Sequence, residues 1–171
     1  RRLRNPSAMY YHLNKVIELY PHNRESYMKI AEELSKDQKW SEAIPHLEQS
    51  LYYTRGDEKK IAETIGWLGT AHLRTGDYEE ATDLLLEVTE KYSDQIGLTL
   101  RAYGNLIKDS RGRGKVKDLD RYVEEVQGYA RSLIRDGKDK DYPMLYKRMS
   151  QLMAMSGNTA EARKWAEAEG Q

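Results

Sequence analysis

Ile65-Gly66-Trp67-Leu68-Gly69-Thr70-Ala71-His72, followed by Gly76-Asp77-Tyr78-Glu79-Glu80-Ala81 and by Leu85 four residues later, is the stretch from which the fold can be read. The large residues Ile65, Leu68 and Leu85 recur at helical spacing. The small residues Gly69 and Ala81 fall where two helix axes would approach most closely, since larger side chains there would hold the axes apart. Between them, Gly76 can end one helix and Asp77 can cap the next, with Glu80 three residues on as its capping-box partner. The stretch therefore predicts a pair of helices joined by a tight turn.

Outward from this stretch the same offsets recur. Tyr27-x2-Ile30-Ala31-x2-Leu34 followed by Ala43-x3-Leu47 is a second copy, with Trp40 in the place of Tyr78. Tyr146-x2-Met149-Ser150-x2-Met153 followed by Gly157, Ala162 and Ala166 is a third, and Leu100-x2-Tyr103-Gly104-x2-Ile107 opens a degenerate fourth. Met9-x3-Leu13 with Pro21 supplies only the back half of a repeat, 34 residues before Ala43. A period of this length is that of a two-helix repeat. The pattern resembles the tetratricopeptide repeat (TPR), which implies an all-α superhelix of antiparallel helix pairs, a right-handed solenoid. Residues 1–171 are expected to form one such domain, with an orphan helix at 7–20 and pairs at about 24–54, 58–92, 96–135 and 141–169.

The spacing also departs from a regular array. Ala43 and Ala81 are 38 residues apart, so four extra residues enter near Arg55-Gly-Asp-Glu-Lys-Lys60, predicting a longer loop there. Ala81 and Ala162 are 81 apart, and the surplus brackets a long amphipathic stretch from Val116 to Arg135, predicting irregular stacking. Pro45 falls in the early turns of its helix, where a missing N–H is only partly tolerated. The chain starts Arg-Arg-Leu-Arg without Met, and its first helix lacks a preceding partner, so a fragment of a longer protein is expected. A second, shorter resemblance agrees with that. Arg4-Asn5-Pro6, Tyr20-Pro21, His22-Asn23-Arg24 and Trp40-Ser41-Glu42-Ala43-Ile44 look like the repeat tail of bacterial two-domain glycosyltransferases. That resemblance implies an accessory domain, positioning acceptor or mediating dimerisation, with the catalytic domain upstream.

Composition narrows the function classes. Apolar residues are 39% and charged ones 33%, the balance of helices that each bury one stripe. Lys plus Arg number 28 and Asp plus Glu number 28, so the formal net charge is zero and no general attraction to nucleic acid is expected. No apolar run is long enough to cross a bilayer and the start lacks a signal-peptide profile, so the chain is expected to be cytoplasmic. With no Cys there are no disulfides, thiolate metal sites or Cys nucleophile. The chain has 13 Tyr and no Phe, and Tyr can do the packing work of Phe when its hydroxyl reaches water at a helix edge.

Little in the sequence assembles chemistry. His12, His22, His46 and His72 lie in four segments without metal-ligand spacing, and the pairs Glu32-Glu33, Glu79-Glu80 and Glu124-Glu125 point about 100° apart on their helices. They read as solvated faces, and no cofactor, metal or catalytic residue is expected. Arg111-Gly-Arg-Gly-Lys-Val-Lys117 is the most basic segment, a candidate for phosphate or an acidic partner, but it lacks the strand before and the Lys-Ser/Thr after of a phosphate loop.

The remaining candidate is the inner surface that the resemblance implies. In the TPR family the first helix of each pair lines a concave groove that binds peptides or helices. On these offsets the groove takes Glu25, Met28, Glu32 and Lys36, then Glu63, Gly66, Thr70 and Arg74, then Arg101, Asn105 and Lys108, and finally Lys147, Gln151 and Met155. The expected partner-binding residues are Arg74, Arg101, Asn105, Lys108, Lys147 and Gln151. They would take a protein or peptide with an acidic segment, and a homodimer is compatible with the exposed first helix. The family's Lys-Asn-Arg clamp for a C-terminal carboxylate is incomplete: Arg101 and Asn105 match its opening, whereas Met28/Glu32 and Gly66/Thr70 do not. The reading is a non-catalytic interaction module.

Overall fold

The structure, a computed structural model, describes residues 6–169, which are 83% helical with no strand among them. The helices are α1 (Pro6–Leu19), α2 (Arg24–Lys36), α3 (Trp40–Tyr53), α4 (Glu58–Thr75), α5 (Tyr78–Lys91), α6 (Ile96–Gly112), α7 (Val116–Arg135), α8 (Leu145–Ser156) and α9 (Thr159–Ala168), with a short 3-10 helix at Lys138–Asp141. The chain divides into two compact units, Arg1–Glu87 and Val88–Gln171.

In the first unit, α1 packs on α2, α2 on α3 and α3 on α4. The small residues of the repeat do what their positions predict: Ala31, Ala43, Ala62, Ala71 and Ala81 are fully buried. Ile30, Leu34, Leu47 and Leu68 fill the space around them, with Tyr10, Leu13 and Ile17 of α1 closing one side. Gly69 marks the tightest approach. A Cβ built there would lie 2.8 Å from Leu85 Cγ and 3.3 Å from the Ala81 carbonyl oxygen, so α4 and α5 leave no room for a side chain. Gly76 has φ +89°, the left-handed conformation that ends α4 and that glycine adopts without strain. The Asp77 carboxylate lies 3.1 Å from His72 Nδ1, which ties the half-buried His72 to the turn after its helix.

Two expectations are corrected here. Met28, read from its offset as facing the groove, is 3% exposed and belongs to the core, because α1 covers that flank of α2. The four extra residues do not make a long loop either. The connection is residues 54–57, and Glu58, Lys59 and Lys60 form the first turn of an 18-residue α4, capped by the Asp57 carboxylate on the Lys60 N–H at 3.0 Å.

Where that connection closes, Arg24 joins three helices. Its guanidinium is 9% exposed; Nε donates to Thr54 Oγ1 at 3.0 Å, Nη1 to Glu25 Oε1 at 2.7 Å, and Nη2 to Thr64 Oγ1 at 3.1 Å, with Glu63 Oε2 at 3.5 Å. Lys60 Nζ stands 3.5 Å from both Glu25 and Asp57. Burial acts to raise the Glu25 pKa, but the hydrogen bond and charge of Arg24, and then Lys60, outweigh it and hold the carboxyl below its ordinary value. Asn23, Tyr53, Thr54, Arg55 and Asp57 complete an open cleft of about 450 Å³ around this network.

Beside it lies an aromatic cluster. Tyr27 stacks on Tyr53 at 5.7 Å between ring centres and sits 6.3 Å from His46. Burial holds the His46 pKa below the ordinary histidine value. A histidine with a lowered folded pKa takes up its proton more readily when unfolded. Its stabilising contribution is therefore present above the unfolded value of about 6.5 and is lost as pH falls from there through the folded value. The expected result is that acidifying from about pH 7.5 to about pH 5 lowers the melting temperature of the natural chain more than that of His46→Gln. Equal shifts in the two proteins would remove His46 from the acid response.

The second unit holds α6 to α9. Leu100, Leu106, Ile107, Leu145, Met149 and Met153 are buried at its centre, and α7 presents Tyr122, Val126, Ala130 and Leu133 at helical spacing to the same core. Asn158 caps α9 through the Glu161 N–H at 3.1 Å, after Gly157 at φ +96°. The tyrosine hydroxyls find protein partners more than the sequence suggests. Tyr129 donates to the Ser93 carbonyl at 2.5 Å, and burial pushes its pKa up to about 12, while Tyr27 donates to the Pro21 carbonyl at 3.1 Å. These tyrosines close the ends of helices as well as filling volume, work that Phe cannot do.

Candidate partner-binding face

The groove expectation places four residues on α6 and α8 of the second unit with their side chains in solvent, Arg101, Lys108, Lys147 and Gln151, and a half-buried fifth, Asn105. On α6, Arg101, Asn105 and Lys108 follow at i, i+4 and i+7 and form one stripe. On α8, Lys147 and Gln151 follow at i, i+4. The two helices touch. A Cβ on Gly104 would be 3.2 Å from Leu152 Cδ2, and Arg111 Nη1 donates to the Met155 carbonyl at 2.5 Å. Near the start of α6, a Cβ on Gly97 would be 3.3 Å from the Tyr142 ring, just before α8. Gly97, Gly104 and Arg111 thus meet Tyr142, Leu152 and Met155 in the same order, so α6 and α8 run in the same direction.

That direction fixes which way the stripes point. At about 100° per residue, the α6 stripe lies about 70° around its helix from the side that meets α8, and the α8 stripe about 120° in the opposite sense from Leu152. For parallel neighbours this puts both stripes on one side of the helix pair.

The charge on this side is one-signed. α8 contains no Asp or Glu, and the only acid in α6, Asp109, is held by Arg113 at 2.6 Å. Arg101, Lys108 and Lys147 make no ion pair with a described residue. Gln151 Oε1 accepts from Arg148 Nη1 at 3.0 Å, which adds a fourth cation at the rim.

Other expected site residues have different surroundings. Arg74 is exposed in the first unit, where its guanidinium stands 5.8 Å from the Trp40 ring centre, a cation–π contact within the fold. Glu25 and Glu63, assigned to the groove by their offsets, both attend Arg24. The basic Arg111–Lys117 segment is not an open phosphate loop. Gly112 is the last residue of α6, not a loop residue, Arg111 caps the C-terminal turn of α8, Arg113 is tied to Asp109, and Val116 already opens α7. Among the described residues no group of three or more His, Asp and Glu side chains could hold a metal ion.

No family model and no curated protein matches the sequence. Among solved structures, the chain is similar to MamA, a TPR-like protein, with a TM-score of 0.58 and 18% sequence identity over 94% of this chain and 84% of that one. The fold is TPR-like. In such a fold α6 and α8 are the first helices of successive pairs, the positions from which the sequence offsets drew the face. The glycosyltransferase resemblance has no support in these comparisons. No helix among the described residues is long and apolar enough to cross a membrane.

Sequence offsets put Arg101, Lys108 and Lys147 in solvent, where the structure has them, because surface residues of a repeat inherit their position from its buried ones. They miss Arg24, although one local signal exists. Arg24 is the first residue of α2, where a cation meets the positive end of the helix dipole and is stabilised only by tertiary partners.

Proposed function

We propose that this chain is a non-catalytic TPR-like module that binds a protein or peptide partner carrying an acidic segment, and that the binding face is the exposed side of α6 and α8. The observation that supports this most directly is the absence of any carboxylate in α8 together with three exposed cations, Arg101, Lys108 and Lys147, that make no ion pair among the described residues. A solubilising surface mixes both signs, whereas a patch of one sign attracts its opposite and steers encounter. Arg74, engaged by Trp40, is left out of this face.

The test uses a 12-residue peptide of Glu, Asp and Ser with both ends blocked, titrated into the natural chain and into the Arg101→Glu/Lys108→Glu variant. Both sites are exposed, so the melting temperature should move by no more than about 2 °C. Affinity for the peptide should fall more than about tenfold and should weaken with salt in the natural chain, because exposed charges are screened over about 8–10 Å. Equal affinities for the two proteins would return these residues to a solubilising role.

A further inference from the structure

Three of the most exposed large apolar side chains stand at one end of the first unit. Leu19 is 73% exposed, Tyr20 66% and Tyr52 63%. There α1 ends and α2 begins, in a turn closed by the Asn23 N–H on the Tyr20 carbonyl at 3.0 Å. The His22 ring of that turn meets the Tyr53 ring at 5.0 Å between centres, which brings the end of α3 to the same place. Tyr53 in turn meets Tyr52 at 5.0 Å, and the Arg55 guanidinium stands 5.4 Å from the centre of the Tyr52 ring. The fold uses Tyr53, which stacks on Tyr27, but leaves the outer side chains in water. Clustered exposure of this kind, in Tyr, Leu and Arg, is the composition of a protein interface.

We infer that a second copy of the chain docks on this end about a two-fold axis, ledge against ledge; the surface is separate from the α6 and α8 face and does not rest on it. The rim chooses the occupant. Arg55, Asp57, Glu58, Lys59 and Lys60 follow within six residues, and the exposed Glu58 and Lys59 make no ion pair with a described residue. A rim of one sign would call for a partner of the other sign. This rim carries both signs side by side, and a two-fold axis supplies the match, since an isologous contact that sets Glu58 against the second copy's Lys59 also sets Lys59 against its Glu58. The three apolar side chains offer roughly 400 Å² per copy. That is about half of the roughly 800 Å² that each partner contributes to a specific interface, and the charged rim supplies the remainder as a polar border.

Sedimentation equilibrium of the natural chain from about 1 to about 500 μM tests this, and the mass should rise from one copy to two and no further. Tyr20→Ser/Tyr52→Ser should weaken dimerisation at least about tenfold, with the melting temperature within about 2 °C because both positions are exposed. Glu58→Lys and Lys59→Glu should each weaken it at least about threefold. Mixed together, those two single variants should pair as tightly as the natural chain, because each then meets the opposite charge at both rim contacts. Arg101→Glu/Lys108→Glu should dimerise normally. A chain that keeps the mass of one copy throughout, growth beyond two copies, or a Tyr20→Ser/Tyr52→Ser protein that dimerises like the natural one would overturn the proposal. Loss of the dimer in Arg101→Glu/Lys108→Glu would place the contact on α6 and α8 and overturn it as well. A mixture of the rim variants that pairs no more tightly than either alone would overturn the two-fold arrangement.

Discussion

Replacing Gly69 by Leu is expected to destabilise the chain by about 2–4 kcal/mol, because overpacking at a closed helix contact forces backbone movement. Even a methyl group there would stand 2.8 Å from Leu85 Cγ, and a longer side chain would also meet the Ala81 carbonyl at 3.3 Å. Leu85 and Ala81 are both fully buried, so neither can swing into solvent. Relief requires α4 and α5 to separate. The control is Gly112→Leu at the end of α6, where a Cβ meets nothing within 4 Å. That change removes a poor helix former and should leave stability equal or higher by up to about 1 kcal/mol. Matching melting temperatures for the two variants would mean that the helix register is wrong.

The second large effect is expected at Arg24. Its guanidinium is 9% exposed and hydrogen-bonds across sequence separations of 30 and 40 residues to Thr54 and Thr64. Arg24→Ala should cost about 2–3 kcal/mol, since charge-assisted hydrogen bonds contribute about 1.5–3 kcal/mol each, while Glu25 and Glu63 remain free to solvate once their partner is gone. Both acids are more than 40% exposed, which keeps the loss below that of a fully buried ion pair. Lys164→Ala, which breaks the exposed 2.5 Å pair with Glu161, should cost no more than about 0.5 kcal/mol. Urea midpoints for the two variants, with the slope checked for change, separate a three-helix tie from an ordinary surface charge.

These two residues also show what a single sequence discloses. Gly69 was legible because a tight helix contact demands a small residue at a fixed offset, and the repeat supplies that offset more than once. The exposure of Arg101, Lys108, Lys147 and Gln151 was legible by the same logic, since they lie on the solvent side of helices whose buried side is periodic. Arg24 was not, because its acceptors are fixed by how α3 ends and α4 begins, and no period encodes that. Met28 was misplaced for a related reason. A residue on the open side of one repeat is buried when a further helix covers it, and α1 does so here. Local pattern fixes the pairs, while contacts made at the end of the array or across a connection need the folded chain.

The acidic-partner face is tested most directly by following backbone amide signals of the isotopically labelled chain by nuclear magnetic resonance while the blocked 12-residue peptide of Glu, Asp and Ser is added. The account predicts that the shifts concentrate on α6 and α8 around Arg101, Asn105, Lys108, Lys147 and Gln151 and fade as salt is raised. Shifts confined to residues 113–117, to the Arg24 cleft or to α7, with α6 and α8 unmoved, would contradict it.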